Sequence, residues 1–174
     1  MLNVVLHEPE IPFNTGAIGR TCVATGSSLH LIYPLGFILN DKNVKRAGMD
    51  YWDKLDLHEY NDYEDFLKQH PEITYNGEGD DGPKLWFATT KARQCYSDVR
   101  FGPDDFLMFG KESAGIPEEI LVKHPKACVR IPMLGDTRSL NLSNSAAIVI
   151  YEALRQNDFM GLNEKGNLHH LSWD

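Results

Sequence analysis

The chain has 174 residues, 25 of them acidic and 17 basic, and a formal net charge of −8. With 42% hydrophobic and 24% charged residues it has ordinary globular composition, neither disordered nor fibrous. One domain is the expectation at this length, and the charge taken alone speaks against a non-specific nucleic-acid binder. No apolar run approaches the ~18 residues of a membrane span. Residues 1–10 lack the basic start of a secretory signal, so a cytoplasmic protein is expected. Cys22, Cys95 and Cys128 form no C-x-x-C pair, so neither a disulfide framework nor a metal site is expected. Each reads as a small buried hydrophobe.

Residues 2–7 form a short β-branched apolar run that predicts a buried strand. Asn14-Thr15-Gly16 opens a helical stretch, with Asn or Thr as its cap and Gly26 as its stop. Residues 28–33 predict a second strand, halted by Pro34, and residues 41–47 a short helix bearing Lys42, Lys45 and Arg46. The alternation over 55–60 predicts a strand with one solvated face, and 62–69 a helix with Tyr63, Phe66 and Leu67 inward. Residues 76–83, dense in glycine and acid, read as an exposed loop. Strands are predicted at 84–89, 105–109 and 128–131, with Asp104 and Asp105 solvated at the start of the second. A short helix over 117–123 has Pro117 first and Glu118 and Glu119 in its opening turn. Residues 143–156 make the most regular helix, with Ala146, Ala147, Ile150, Ala153 and Leu154 on one face. Residues 1–157 form the expected domain, and 158–174 a polar tail.

Strands alternating with helices predict an α/β fold, a mainly parallel sheet flanked by helices. Ligands in such folds bind beyond the carboxyl ends of the strands. Familiar nucleotide signatures are missing there. No G-x-G-x-x-G follows the first strand, and Gly110-Lys111 lacks the upstream glycine and following Ser or Thr of a P-loop. Three other post-strand loops stand out: residues 12–20, 109–117 and 131–144. The third is far longer than a strand-to-helix connection needs, and long ordered loops in compact domains are usually functional.

These loops carry N-T-G-x-I-G-R, F-G-x-E-x-x-G-I-P and I-P-M…S-L-N-L-S-N-S, in that order. Together they resemble the three motifs of SPOUT-class RNA methyltransferases of the SpoU type, which act on the ribose 2′-hydroxyl. The resemblance spans nearly the whole chain. LNVVLHEPEIPFNTG, LIYPLGF and K-x-x-R-A-G-M-D-Y are most similar to the minimal, single-domain members that methylate the wobble nucleotide of leucine tRNAs. It implies a C-terminal trefoil knot, S-adenosyl-L-methionine as methyl donor with S-adenosyl-L-homocysteine as product, and tRNA as partner. It also implies a homodimer through the knot region and last helix. Residues 75–83 and 158–174 depart from the pattern as an insertion and a longer tail.

Position by position, the resemblance implies cofactor contacts at Thr89, Gly110, Ile131 and Ser139, with Glu112 and Leu140 beside them. Thr89 and Ile131 end strands, where backbone groups leave the ladder, and Gly110 permits close approach. The implied catalytic group is Arg20, Asn141, Ser143 and Asn14. Arg20 would stabilise the developing alkoxide or fix a phosphate, since a guanidinium is too weak an acid to serve as a base. An arginine in a first helical turn opposes the helix dipole, so helix stability does not explain it. Asn141 and Ser143 would orient the ribose and the loop, with Ser143 also fitting a helix cap. Glu112 would anchor the N–H groups of its own loop or meet the cofactor, and Asn14 would hold Arg20 or the third loop. Arg138, Lys45 and Arg46 would meet RNA.

Two other classes remain: a non-catalytic RNA-binding or assembly protein on the same scaffold, and a nucleotide-dependent oxidoreductase. Intact Arg20, Asn141 and Ser143 weigh against the first, and the missing glycine fingerprint against the second. The charge permits RNA after all. Eleven acids face only Lys54 and Lys68 between Asp50 and Asp81, so that segment carries −9 and the remainder +1. A locally basic contact with few phosphates is expected, with the acidic segment turned away.

Overall fold

A computed structural model describes residues 1–39, 51–77, 82–135 and 138–173. The predicted helix over 41–47, with Lys45 and Arg46, lies outside the described residues, as do 78–81 of the acidic loop.

Six strands form one parallel sheet: β1 (Asn3–His7), β2 (Ser28–Ile32), β3 (Leu57–Tyr60), β4 (Leu85–Ala88), β5 (Phe106–Phe109) and β6 (Cys128–Val129). Their order across the sheet is β3-β2-β1-β5-β4-β6. Among the described residues the α-helices are α1 (Pro12–Thr25), α2 (Tyr63–Gln69), α3 (Glu118–Leu121) and α4 (Leu142–Gln156). Side chains alternate across the sheet with the strand period of two. Val4, Leu6, Leu107 and Phe109 join Ile18 and Cys22 of α1 and Ala146, Val149, Ile150 and Ala153 of α4 in one core cluster. Val5, Phe106 and Met108 turn the other way, into a second cluster with Phe66 of α2 and Leu121 of α3. The α/β expectation with helices on both faces therefore holds.

Several boundaries differ from expectation for local reasons. Helix α1 begins at Pro12, not at Asn14 or Thr15, because proline suits a first turn whose N–H groups lack partners. Its Ile11 cap offers no side-chain acceptor. Gly26 closes the helix as expected, left-handed at φ 66°, with its N–H on the Cys22 carbonyl. Strand β3 lies at the sheet edge and exposes both His58 and Glu59, so it does not alternate strictly. Strand β6 is two residues long and ends before Ile131. Pro117 is the cap of α3 and not its first residue.

Asp105 is not solvated. It is buried, and its carboxylate accepts from Trp86 Nε1 (2.7 Å), Lys84 N (2.8 Å) and Gly102 N (2.8 Å), tying β4 to the turn before β5. Asp104 is exposed and pairs with the terminal ammonium of Met1. Cys22 and Cys128 are buried and free, and Cys95 is half-buried and free. Burial pushes the Cys22 thiol up to about 12, which makes it inert. No described helix is long and apolar enough to cross a membrane. Residues 158–173 contain no helix or strand and are mostly exposed.

Candidate functional site

All strands run the same way, so the loops after β1, β4, β5 and β6 emerge on one side of the sheet. There they enclose a cleft of about 580 Å³. Residues 88–91 end and follow β4, residues 109–115 end and follow β5, and Ile131, Met133 and 138–142 follow β6. Ile11 and Asn14 close the cleft from the first turn of α1, and Val149 from α4.

A chain of hydrogen bonds joins the three motif loops. The Glu112 carboxylate accepts from Glu10 N (2.8 Å), Ile11 N (3.3 Å) and Asn14 Nδ2 (2.8 Å). Asn14 Oδ1 accepts from Asn141 Nδ2 (3.0 Å). Asn141 Oδ1 then accepts from Ser143 N (2.9 Å), Ser143 Oγ (2.6 Å) and Asn144 N (3.3 Å). The carboxylate can only accept, so it fixes the direction of both amides. It also places negative charge at the start of α1, where the helix dipole favours it. Glu112 thus anchors the loop of motif one, not its own.

A second set of contacts runs the opposite way. Glu10 Oε2 accepts from Ser113 N and Glu10 Oε1 from Ser113 Oγ, both at 2.8 Å. Those two bonds hold the Glu10 carboxyl below its ordinary range, with Lys111 helping. Lys111 Nζ donates to Glu8 Oε2 at 2.7 Å, and that bond raises the lysine's pKa. Glu8 has φ 51°, a left-handed conformation unusual for its residue type. Glu8 and Glu10 were not among the residues expected from sequence. Their spacing is that of ordinary surface acids, and nothing local marks partners a hundred residues away.

Thr89, Gly110, Ile131, Ser139, Leu140, Glu112, Asn14, Asn141 and Arg138 all line the cleft. Thr89 differs in detail from expectation, because its N–H remains in the ladder, on the Val129 carbonyl at 2.9 Å. Neither backbone group of Ile131 bonds a described residue, so both stay available. At Gly110 a Cβ would lie 2.1 Å from Gly115 C and Ile116 N. The missing side chain therefore serves closure of the loop on itself, completed by Gly115 at φ 73° and its N–H on the Lys111 carbonyl. Ser143 sits behind Asn141, which is the cap of α4 in its place.

Arg20, like Ser143, does not line the cleft. It lies in the third turn of α1, so the expected conflict with the helix dipole does not arise. Its guanidinium instead rests over the Tyr51 ring, 5.0 Å from the centroid. Asn14 bonds Glu112 and Asn141, not Arg20.

Residues 1–151 match the model of the SpoU rRNA Methylase family. The chain belongs to this family. It is 44% identical over 162 residues to the tRNA (cytidine(34)-2′-O)-methyltransferase of Escherichia coli strain K12, covering 92% of this chain and 97% of that protein. A solved structure described as giving insight into the 2′-OH methylation of C/U34 on tRNA matches with a TM-score of 0.80 and 40% identity, covering 91% and 97% of the two chains. An AdoMet-bound rRNA methyltransferase from Sinorhizobium meliloti matches with a TM-score of 0.73 and 26% identity, covering 88% of this chain and 56% of that one.

The cleft of this SpoU-family chain fits an adenosyl cofactor. Its volume lies in the range of about 300–1,000 Å³ used for such ligands. Ile11, Met133, Leu140, Leu142 and Val149 supply apolar wall for a flat base. The unbonded backbone of Ile131 leaves one donor and one acceptor free at the cleft, a pair that could meet a base edge. Among the described residues no group of three or more His, Cys, Asp or Glu could hold a metal ion.

Proposed function

We propose that the chain transfers a methyl group from S-adenosyl-L-methionine to the ribose 2′-hydroxyl of the wobble nucleotide, position 34, of a tRNA. The cytidine or uridine of leucine tRNAs is the expected substrate. The observation that carries this reading is the single cleft in which the residues of all three motifs converge. The names of relatives matched along almost their full length point to the same nucleotide.

Bound in the cleft, the cofactor supplies an electrophilic methyl group. The backbones of Gly110 and Ile131, with Thr89, Ser139 and Leu140, would hold its adenosyl part. Glu112, Asn14, Asn141 and Ser143 keep the three loops in register, so the reacting groups meet in one geometry. A ribose hydroxyl is a weak nucleophile until its proton leaves. Arg20 stabilises the alkoxide or fixes the adjacent phosphate, and the proton passes to water or another base. Arg138 forms no ion pair with a described residue and lines the cleft, so it is placed to meet a phosphate. Lys45 and Arg46 extend the RNA contact.

We read residues 1–157 as one catalytic domain with a tail, working in the cytoplasm. We read the C-terminal segment as threading a loop to form the trefoil knot, a path that would bring residues 110–115 and Ile131, Met133 and 138–142 to the one cleft they line. A second copy docks on α1 and α4. Phe13 (66% exposed), Ile148 (37%) and Tyr151 (47%) give these packed helices an apolar outer face. Arg20 stands outside its own cleft, so the nucleotide's length or that second copy joins the two.

Incubating tRNA with labelled S-adenosyl-L-methionine and mapping the modified nucleotide tests the reading. Label at the 2′-oxygen of nucleotide 34 is expected; tRNA binding without label would indicate a non-catalytic RNA-binding or assembly role. In single-turnover assays Arg20→Ala should lose about 100-fold or more in rate while cofactor affinity holds. Sedimentation should show a dimer that Tyr151→Glu with Ile148→Glu converts to monomer.

A further inference from the structure

Arg20 has an unusual holder. The short 3₁₀ helix Trp52–Lys54 packs against α1, and Gly19, Arg20, Val23, Tyr51, Trp52 and Leu55 line one shallow groove. The guanidinium lies over the Tyr51 ring at 5.0 Å, and Tyr51 is 37% exposed. Among the described residues Arg20 makes no ion pair or hydrogen bond.

An aromatic face and a carboxylate hold a guanidinium in different ways. A carboxylate takes up N–H donors at the edge of the plane and cancels the charge. A ring beneath the plane attracts the cation yet leaves all five donors free. The distinction matters here because this part of the chain is rich in acids, with Asp53 two residues from Tyr51. Trp52, Val23 and Leu55 wall the groove around the stack with apolar surface.

We propose that Tyr51 is a positioning residue for the methyl transfer: its ring holds the Arg20 guanidinium in place and leaves its N–H donors open to the substrate's ribose oxygen or phosphate. This rests on the role given to Arg20 above. The ring acts on the placement of the cation and not on the cofactor, whose cleft Tyr51 does not line.

Single-turnover methylation of tRNA by the full chain tests this, with cofactor affinity measured by calorimetry. Tyr51→Leu should slow methyl transfer about 3- to 10-fold with unchanged cofactor affinity. Tyr51→Phe keeps the ring and should keep the rate. Tyr51→Leu added to Arg20→Ala should cost nothing further, because its target is gone. The inference is overturned if Tyr51→Leu keeps the wild-type rate, if Tyr51→Phe is as slow as Tyr51→Leu, or if the loss persists in full without Arg20. A folding defect would show as that last outcome. Should Arg20→Ala itself keep its rate, the role of Arg20 is what fails.

Discussion

Glu112 accepts from two backbone N–H groups just before motif one and from the side-chain amide of Asn14 within it. Glu112→Gln keeps the shape but turns one acceptor into a donor facing other donors. The variant should lose about 1–3 kcal/mol of stability in urea titrations and bind cofactor more weakly. Sequence made Glu112, Asn14 and Asn141 conspicuous through their motif positions, although the partners assigned to them were partly wrong. Glu8 and Glu10 carried no comparable signal, since a carboxylate's partner is chosen by the fold. Glu10, with its lowered pKa, contributes fully above the ordinary range of about 4.5 and loses its contribution as pH falls below it. Cofactor affinity should therefore fall in acid, and Glu10→Gln should weaken it already at neutral pH.

Among the elements, α4 depends on its cap. Asn141 Oδ1 serves two N–H groups of the first turn and also the Ser143 hydroxyl. Asn141→Ala should cost about 1 kcal/mol by the cap alone and should release Asn14 as well, so thermal unfolding should report more than the cap. Gly110→Ala should disrupt the loop after β5, because the new methyl would meet backbone and not a movable side chain. Calorimetry should then find cofactor binding lost in a protein whose sheet still forms. The best periodic segments, β1, β5 and α4, were legible because their patterns match their faces. The start of α1 differs from expectation because Asn and Thr are common caps, while here both lie inside the helix, Asn14 lining the cleft and Thr15 bonding the Ile11 carbonyl. The Glu112 carboxylate, a hundred residues on, instead holds the Glu10 and Ile11 N–H groups that lead into the helix.

Across the whole molecule, stability should depend on pH through buried histidine. Desolvation, with His58 and His70 nearby, pushes His30 down to about 3 from 6.5. His30 bonds Tyr60 Oη through Nδ1 (2.8 Å) and Asn3 Oδ1 through Nε2 (3.2 Å), at the junction of β1, β2 and β3. The unfolded chain binds this proton below pH 6.5 while the folded chain does not. Folding therefore weakens as pH falls, by about 1.4 kcal/mol per unit for this one group. His7, buried and likewise lowered by desolvation, acts in the same direction. Denaturant titrations between pH 7 and 5 should show the decline before carboxylates contribute, and a flat profile would contradict it.

Length, composition and periodicity by themselves determined an α/β domain with a parallel sheet, because burial on both faces leaves a pattern in each strand. Three motifs in order determined the family, and eight of the nine expected residues that line the cleft lie in their loops. Net charge determined much less than its sign suggests, since the excess acid belongs to one central segment. Tertiary structure alone decided which loop Glu112 anchors, that Asp105 is buried, and that Glu8 and Glu10 clasp the loop after β5. It also set Arg20 over Tyr51 and away from its own cleft. Such choices rest on contacts between residues far apart in sequence. No local pattern encodes them, because the partner of a polar group is whichever group the packed core brings within about 3 Å.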